Sequence, residues 1–269
     1  MQRTKQELFW HPTYLIWLCS LIFLSPLLLV QALITKKITP RLPEAEGHCN
    51  GLAPSTRDSD ETLYLTFLGE STVAGVGVET HTQGLAANTA FHIAKMAPIN
   101  VHWHAIGENG IRLEATVERL VSQIPERDNQ IIIICLGVND VTGMTSLPQW
   151  EQGFNLLLRR LSSLNPAGIV FNGIPPMHEF TALPQPLRFV LGKRAMLMQS
   201  VIENHPERNN SFVVFPSVSL TSKEDLARDG YHPSKMGYFK WSGVIAEQLL
   251  TSSRLPISSL SLQGKAQYH

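Results

Sequence analysis

The chain has little charge and less cysteine. Only 16% of its 269 residues are Asp, Glu, Lys or Arg, and 22 basic residues balance 22 acidic ones. That balance provides neither a basic stripe nor an acidic tail, so no nucleic-acid partner is expected. Of the three cysteines, Cys19 sits in an apolar run, Cys49 in a loop-like stretch and Cys135 inside a strand-like segment. The Cys49–Cys135 pair is weak ground for a disulfide. No internal repeat is visible, and the glycines of Ala74-Gly75-Val76-Gly77-Val78 lack the spacing of a dinucleotide fingerprint. His102 and His104 alternate around Trp103 without a visible third ligand, so no metal site is expected. No organic cofactor is called for either.

Apolar residues are plentiful, at 43%, and part of the excess lies in one place. Tyr14 to Ile34 contains no formal charge and is mostly Leu, Ile, Val, Phe and Trp. As a helix this run is roughly 30 Å long, the thickness of a bilayer's hydrocarbon core. Trp10, Tyr14 and Trp17 stand near its start, where amphipathic rings favour a membrane interface. The leading expectation is a single-pass N-terminal anchor through residues 14–34. A cleaved signal ending near Val30-Gln31-Ala32 and a buried core helix that tolerates Pro26 are the alternatives. Arg3 and Lys5 on one side nearly balance Lys36, Lys37 and Arg41 on the other, which leaves the side of the membrane open.

Residues 1–35 therefore read as an anchor or uncleaved signal. Residues 36–61, with Pro40, Pro43, Gly47, Gly51 and Pro54, read as a linker, and the Ser-rich 252–269 as a flexible tail. Between them, residues 62–251 alternate strand-like and helix-like signals. Strands are expected at 63–68, 99–106, 130–136, 168–174 and 212–215, and helices at 84–97, 111–124, 148–164, 185–205 and 234–250. The run Gln130–Leu136 is apolar on both faces, as in a central parallel strand covered by helices on both sides. The alternation predicts a doubly wound parallel sheet, a flavodoxin-like three-layer α/β/α fold in the α/β class. Ligands bind such sheets at the carboxyl ends of the strands.

Four short motifs fall at those ends. Gly69-Glu70-Ser71 follows the first strand and can present a hydroxyl there, although a serine at this place also reads as a helix N-cap. Gly107-Glu108-Asn109-Gly110 follows the second, where backbone N–H groups can meet an anion or simply form a turn. Gly137-Val138-Asn139-Asp140 follows the third and offers a carboxamide donor, or an Asx turn. Asp229-Gly230-Tyr231-His232 lies near the carboxyl end. An aspartate three residues before a histidine can fix one imidazole nitrogen while the other faces a nucleophile. His178, in the loop after the fourth strand, is a poorer base, because it has no acid placed like Asp229. Its loop is expected to wall a pocket.

Together and in this order, the four motifs resemble the SGNH hydrolases, the GDSL family of esterases and lipases, over roughly residues 62–250. The family's Ser, Gly, Asn and His match Ser71, Gly110, Asn139 and His232, and its aspartate matches Asp229. The resemblance implies a serine hydrolase of acyl esters working through an acyl-enzyme. Ser71 would be the nucleophile, His232 and Asp229 its base pair, and Ser71, Gly110 and Asn139 the oxyanion donors. Its substrate would be a small-molecule, lipid or carbohydrate ester. Gly-Glu-Ser departs from the family's Gly-Asp-Ser, so no role is carried over to Glu70. A membrane-tethered flavodoxin-like binding module, or an inactive relative, is the competing reading.

Overall fold

The structure, a computed structural model, describes residues 12–257. The flank carrying Arg3, Lys5 and Trp10, and residues 258–269, lie outside the described residues. Of the stretch read as a flexible tail, the described part is docked instead, because Leu255 and Ile257 bury their side chains in the core shared with the last helix.

The apolar run forms one long helix, α1 (Pro12–Ile38). Pro26 lies inside it and has no N–H to give to the carbonyl of Ile22. The Ser25 hydroxyl donates to that carbonyl instead, at 3.0 Å. Six strands then build one sheet: β1 (Asn50–Ala53), β2 (Thr62–Gly69), β3 (Asn100–Gly107), β4 (Gln130–Cys135), β5 (Gly168–Asn172) and β6 (Val213–Phe215). Their order is β1-β3-β2-β4-β5-β6. Every neighbouring pair is parallel except β1, which runs antiparallel along β3. Helices α2 (Leu85–Met96), α3 (Leu113–Arg119), α4 (Val138–Thr142), α5 (Leu147–Ser162), α6 (Leu187–Glu203) and α7 (Lys235–Thr251) are the other α-helices among the described residues.

The sequence of β4 dictates the layering. All six of its residues are buried, and side chains alternate between faces along a strand. Ile132 and Ile134 join the core beneath α3, α5 and α6, while Ile131, Ile133 and Cys135 join the core shared with α2 and α7. The expected doubly wound, three-layer architecture is therefore present. The helix expected at 111–124 is shorter, ending as α3 with a single 3-10 turn (Val121–Gln123) behind it.

Two features were not expected. Residues 50–53, within the stretch read as a linker, form the edge strand β1. Asn-Gly-Leu-Ala has no strand-like alternation, and its placement is set by β3. Gly51 pairs with Trp103, and a Cβ there would lie 2.9 Å from the indole. Only a residue without a side chain lets the edge strand lie flat over that ring. The second feature is that α1 does not stand free. Its Tyr14, Trp17, Leu18, Leu21, Leu24 and Leu28 pack on the core beneath α6, and Gln31 hydrogen-bonds the chain just before α6. The opposite face is open, with Phe23 82% exposed.

If β1 belongs to the folded unit, Gly51→Val should overpack Trp103 and lower unfolding free energy by about 1–3 kcal/mol. Leu52→Ala, at a side chain 51% exposed, should change it by less than about 0.5 kcal/mol. Urea melts of the two variants check this, and equal, negligible effects would mean that 50–53 is a loose tether.

Candidate active site

The carboxyl edge of the sheet gathers the four motifs. β2 ends at Gly69, where a Cβ would lie 2.1 Å from the Cys135 carbonyl oxygen. This close approach lets Glu70 N–H donate to Cys135 O at 3.1 Å and tips the chain into the turn that lifts Ser71 above the sheet. The turn is held from behind by the buried Tyr238 hydroxyl of α7, which donates to Val76 O at 2.8 Å. Ser71 Oγ lies 3.0 Å from His232 Nε2, and His232 Nδ1 lies 2.7 Å from Asp229 Oδ2.

The other Asp229 oxygen accepts the N–H groups of Tyr231 at 2.9 Å and His232 at 3.0 Å. A three-residue loop can close this way because Gly230 takes a positive φ of 65°. Burial pushes the Asp229 carboxyl upward, but the bonds from His232 and from these two N–H groups outweigh it and hold it below the usual range. The aspartate is thus ionised when an imidazolium forms beside it, which suits a base that must take a proton from a hydroxyl.

On the other side of Ser71 the expected donors differ from one another. Gly110 turns at φ 82°, on a loop tied to β2 by the Glu108 N–H bond to Gly69 O. Among the described residues, the N–H groups of Ser71 and Gly110 have no hydrogen-bond partner. Asn139, in contrast, has both amide hydrogens engaged. Its Nδ2 donates to Glu70 Oε2 at 2.5 Å and to Ile111 O at 3.1 Å. An amide nitrogen carries two hydrogens, so Asn139 must give up one bond before it can meet an oxyanion.

Glu70, to which the sequence assigned no role, is the residue that reasoning from the chain alone missed. It is 4% exposed, and it also accepts the N–H groups of Val138 and Asn139, each at 3.0 Å. One carboxylate thus fastens the turn after β4 to the turn after β2. Burial is the main influence on it and raises its pKa from 4.5 to about 7 against the lowering effect of those bonds. The visible signal was a charged residue at the end of an otherwise apolar strand.

The remaining candidates lie apart. His178 is exposed and 3.8 Å from Glu179, on a loop whose Pro175, Glu179 and Phe180 wall a cleft beside Ser71. Phe180 packs edge-on against Tyr231 at 4.9 Å. The cleft is mostly apolar and reaches in to Cys135, Asn172 and Trp241. Burial pushes the Cys135 thiol up to about 12. On β3, His102 stacks on Tyr64 at 5.0 Å. Among the described residues, no group of three or more His, Cys, Asp or Glu stands together as a metal site.

The sequence pattern of the GDSL-like lipase/acylhydrolase family matches residues 67–239. Among solved structures, the lipase/acylhydrolase from Enterococcus faecalis is similar at 19% identity and a TM-score of 0.50, over 70% of this chain and 95% of that one. TesA is similar at 18% identity and a TM-score of 0.52, over 70% and 98%. A lipolytic protein of the G-D-S-L family from Desulfitobacterium hafniense DCB-2 is similar at 14% identity and a TM-score of 0.51, over 68% and 98%. At these identities the likeness is one of fold. No curated protein sequence matches.

The raised pKa of Glu70 has a consequence for stability. The native state keeps a proton on it between pH 4.5 and about 7 that the unfolded chain has released. Its contribution to stability is therefore full below about pH 4.5 and is lost as pH rises through about 7, roughly 3 kcal/mol in all. Glu70→Gln should remove that slope. Chemical unfolding of both proteins across this window checks it, and parallel stability–pH curves would rule out the assignment.

Proposed function

Because this chain belongs to the GDSL-like lipase/acylhydrolase family, we propose that it cleaves acyl esters through a covalent intermediate on Ser71. The observation that carries this reading is the unbroken line from Ser71 Oγ through His232 to the buried Asp229 carboxylate. In the reaction, His232 Nε2 takes the hydroxyl proton as Ser71 Oγ bonds to the carbonyl carbon. Negative charge then gathers on the carbonyl oxygen, for which the free N–H groups of Ser71 and Gly110 are the available donors. Asn139 joins them by exchanging its bond to Ile111 O for one to the oxyanion. Return of the proton from His232 to the alkoxy oxygen breaks the bond to the leaving alcohol. Water deprotonated by His232 then attacks the acyl-enzyme and frees Ser71.

The apolar wall of Phe180, Tyr231 and Leu220 beside the nucleophile suits the hydrocarbon part of a small-molecule, lipid or carbohydrate ester. In this reading residues 62–251 carry the hydrolase chemistry, β1 and the docked residues 252–257 complete the unit that holds it, and the apolar run 14–34 holds the enzyme at a membrane. A membrane-tethered binding module would share the fold but would not need an ionised aspartate behind a histidine at hydrogen-bond distance from a serine.

A fluorophosphonate probe should label the wild-type protein and leave Ser71→Ala unlabelled; a Ser71→Ala protein that still reacts or turns over would overturn the assignment. Asn139→Ala should lower kcat about a hundredfold with KM little changed, because the oxyanion exists only along the reaction path. Steady-state kinetics separate the two constants, and a change in KM alone would make Asn139 a ground-state contact.

A further inference from the structure

α1 is apolar on every side, yet only one side meets protein. The inner stripe, at residues 14, 17, 18, 21, 24, 28 and 31, keeps to one face of the helix and follows the catalytic domain for most of its length. Two contacts along it are specific. At one end, Gln31 Nε2 donates to Gln185 O at 2.7 Å, and Gln31 Oε1 accepts from Leu187 N at 3.1 Å. That residue thereby pins the start of α6 and the end of the loop that walls the cleft. Further back, the Arg194 guanidinium lies 5.0 Å from the Trp17 ring centre and is only 3% exposed. Arg194 donates through Nε to Val141 O at 3.2 Å and through Nη2 to Thr145 O. Trp17 therefore roofs the arginine that supports α4, the helix that carries Asn139.

The outer stripe carries Ile16, Ile22, Phe23, Leu29, Leu33 and Ile34, each 49% exposed or more. An apolar surface of this length needs a cover. A helix that spans the bilayer with no other helix beside it meets lipid on all sides. If α1 crossed the bilayer while docked, α6 with Arg188, Lys193 and Arg194 would be carried into hydrocarbon, where charge is costly. If it undocked in order to cross, Gln31 would lose both partners and Arg194 its roof. An orientation in the membrane plane keeps both contacts and still buries the outer stripe.

We infer that α1 lies flat in one leaflet, with its inner stripe on the catalytic domain and its outer stripe in lipid, so that the chain does not cross the membrane. Lys36 and Lys37, in the last turn, then meet the headgroups. The inference rests on the membrane reading given above and is independent of the chemistry at Ser71.

The test uses the full-length chain in sealed vesicles, with an epitope at each end. Protease added outside should remove both epitopes or neither, and removal of one alone would overturn the inference. A photo-crosslinking residue at Phe23 should give lipid adducts at least tenfold more often than one at Leu24; equal yields would mean lipid on all sides and would also overturn it. Recovery of the chain as a soluble dimer would assign the outer stripe to a second copy and reject lipid as its cover. Fluorophosphonate labelling of Ser71 in the same preparations reports separately on the hydrolase reading.

Discussion

One buried carboxylate holds the two halves of the site in register. Glu70 follows the last residue of β2 and accepts three hydrogen bonds from Val138 and Asn139 across the sheet edge. Without it the partly buried N–H groups of Val138 and Asn139 would lose their acceptor, and a buried donor left unpaired costs about 1–3 kcal/mol. Asp140, the next residue, is in turn bound by Leu113 N–H at 2.9 Å and by the Thr145 hydroxyl at 2.8 Å. Ser71 sits one residue beyond Glu70, so its position depends on the same grip. A shorter carboxylate at residue 70 would have to draw the two turns closer to make the same bonds.

Local pattern explains which parts of this arrangement are legible in the sequence. Gln130–Cys135 reads as a central strand because apolar residues on both faces have few other uses. Asp229 and His232 are legible because a three-residue spacing lets one carboxylate bind both the imidazole and its own loop. The family resemblance brought Ser71 forward from among serines that could equally cap a helix. Glu70 was hidden because its partners are 68 and 69 positions away, and only the parallel pairing of β2 with β4 brings them together. β1 was hidden for a similar reason, since Asn-Gly-Leu-Ala carries no alternation and its place is set by Trp103. The run from Tyr14 to Ile34 announced its apolarity but not its docked face, because a helix that is apolar all round shows no stripe.

The site is also layered by chemistry. The polar groups assigned to proton transfer in the proposed reaction stand over the carboxyl edge of the sheet, with Asp229 and His232 held by the loop before α7. The buried rings of Tyr238 and Trp241 lie beneath them with little or no exposure. The cleft opens away from this floor, between the loop carrying Phe180 and the loop carrying Tyr231. Both loops face Ser71, so in the proposed reaction the fit of the substrate would fall to segments that the sheet itself does not constrain.

The seat of α1 also has a history in time. Gln31 and its partner Gln185 are 154 residues apart, and ribosomes add about 5–20 residues per second. Roughly 8–30 s therefore separate the emergence of the helix from that of the surface it will rest on. During that interval both of its stripes are uncovered, and a lipid leaflet or a chaperone is the natural shelter. The inner stripe of the helix can be covered by its own domain only after the segment around Gln185 has been made and folded.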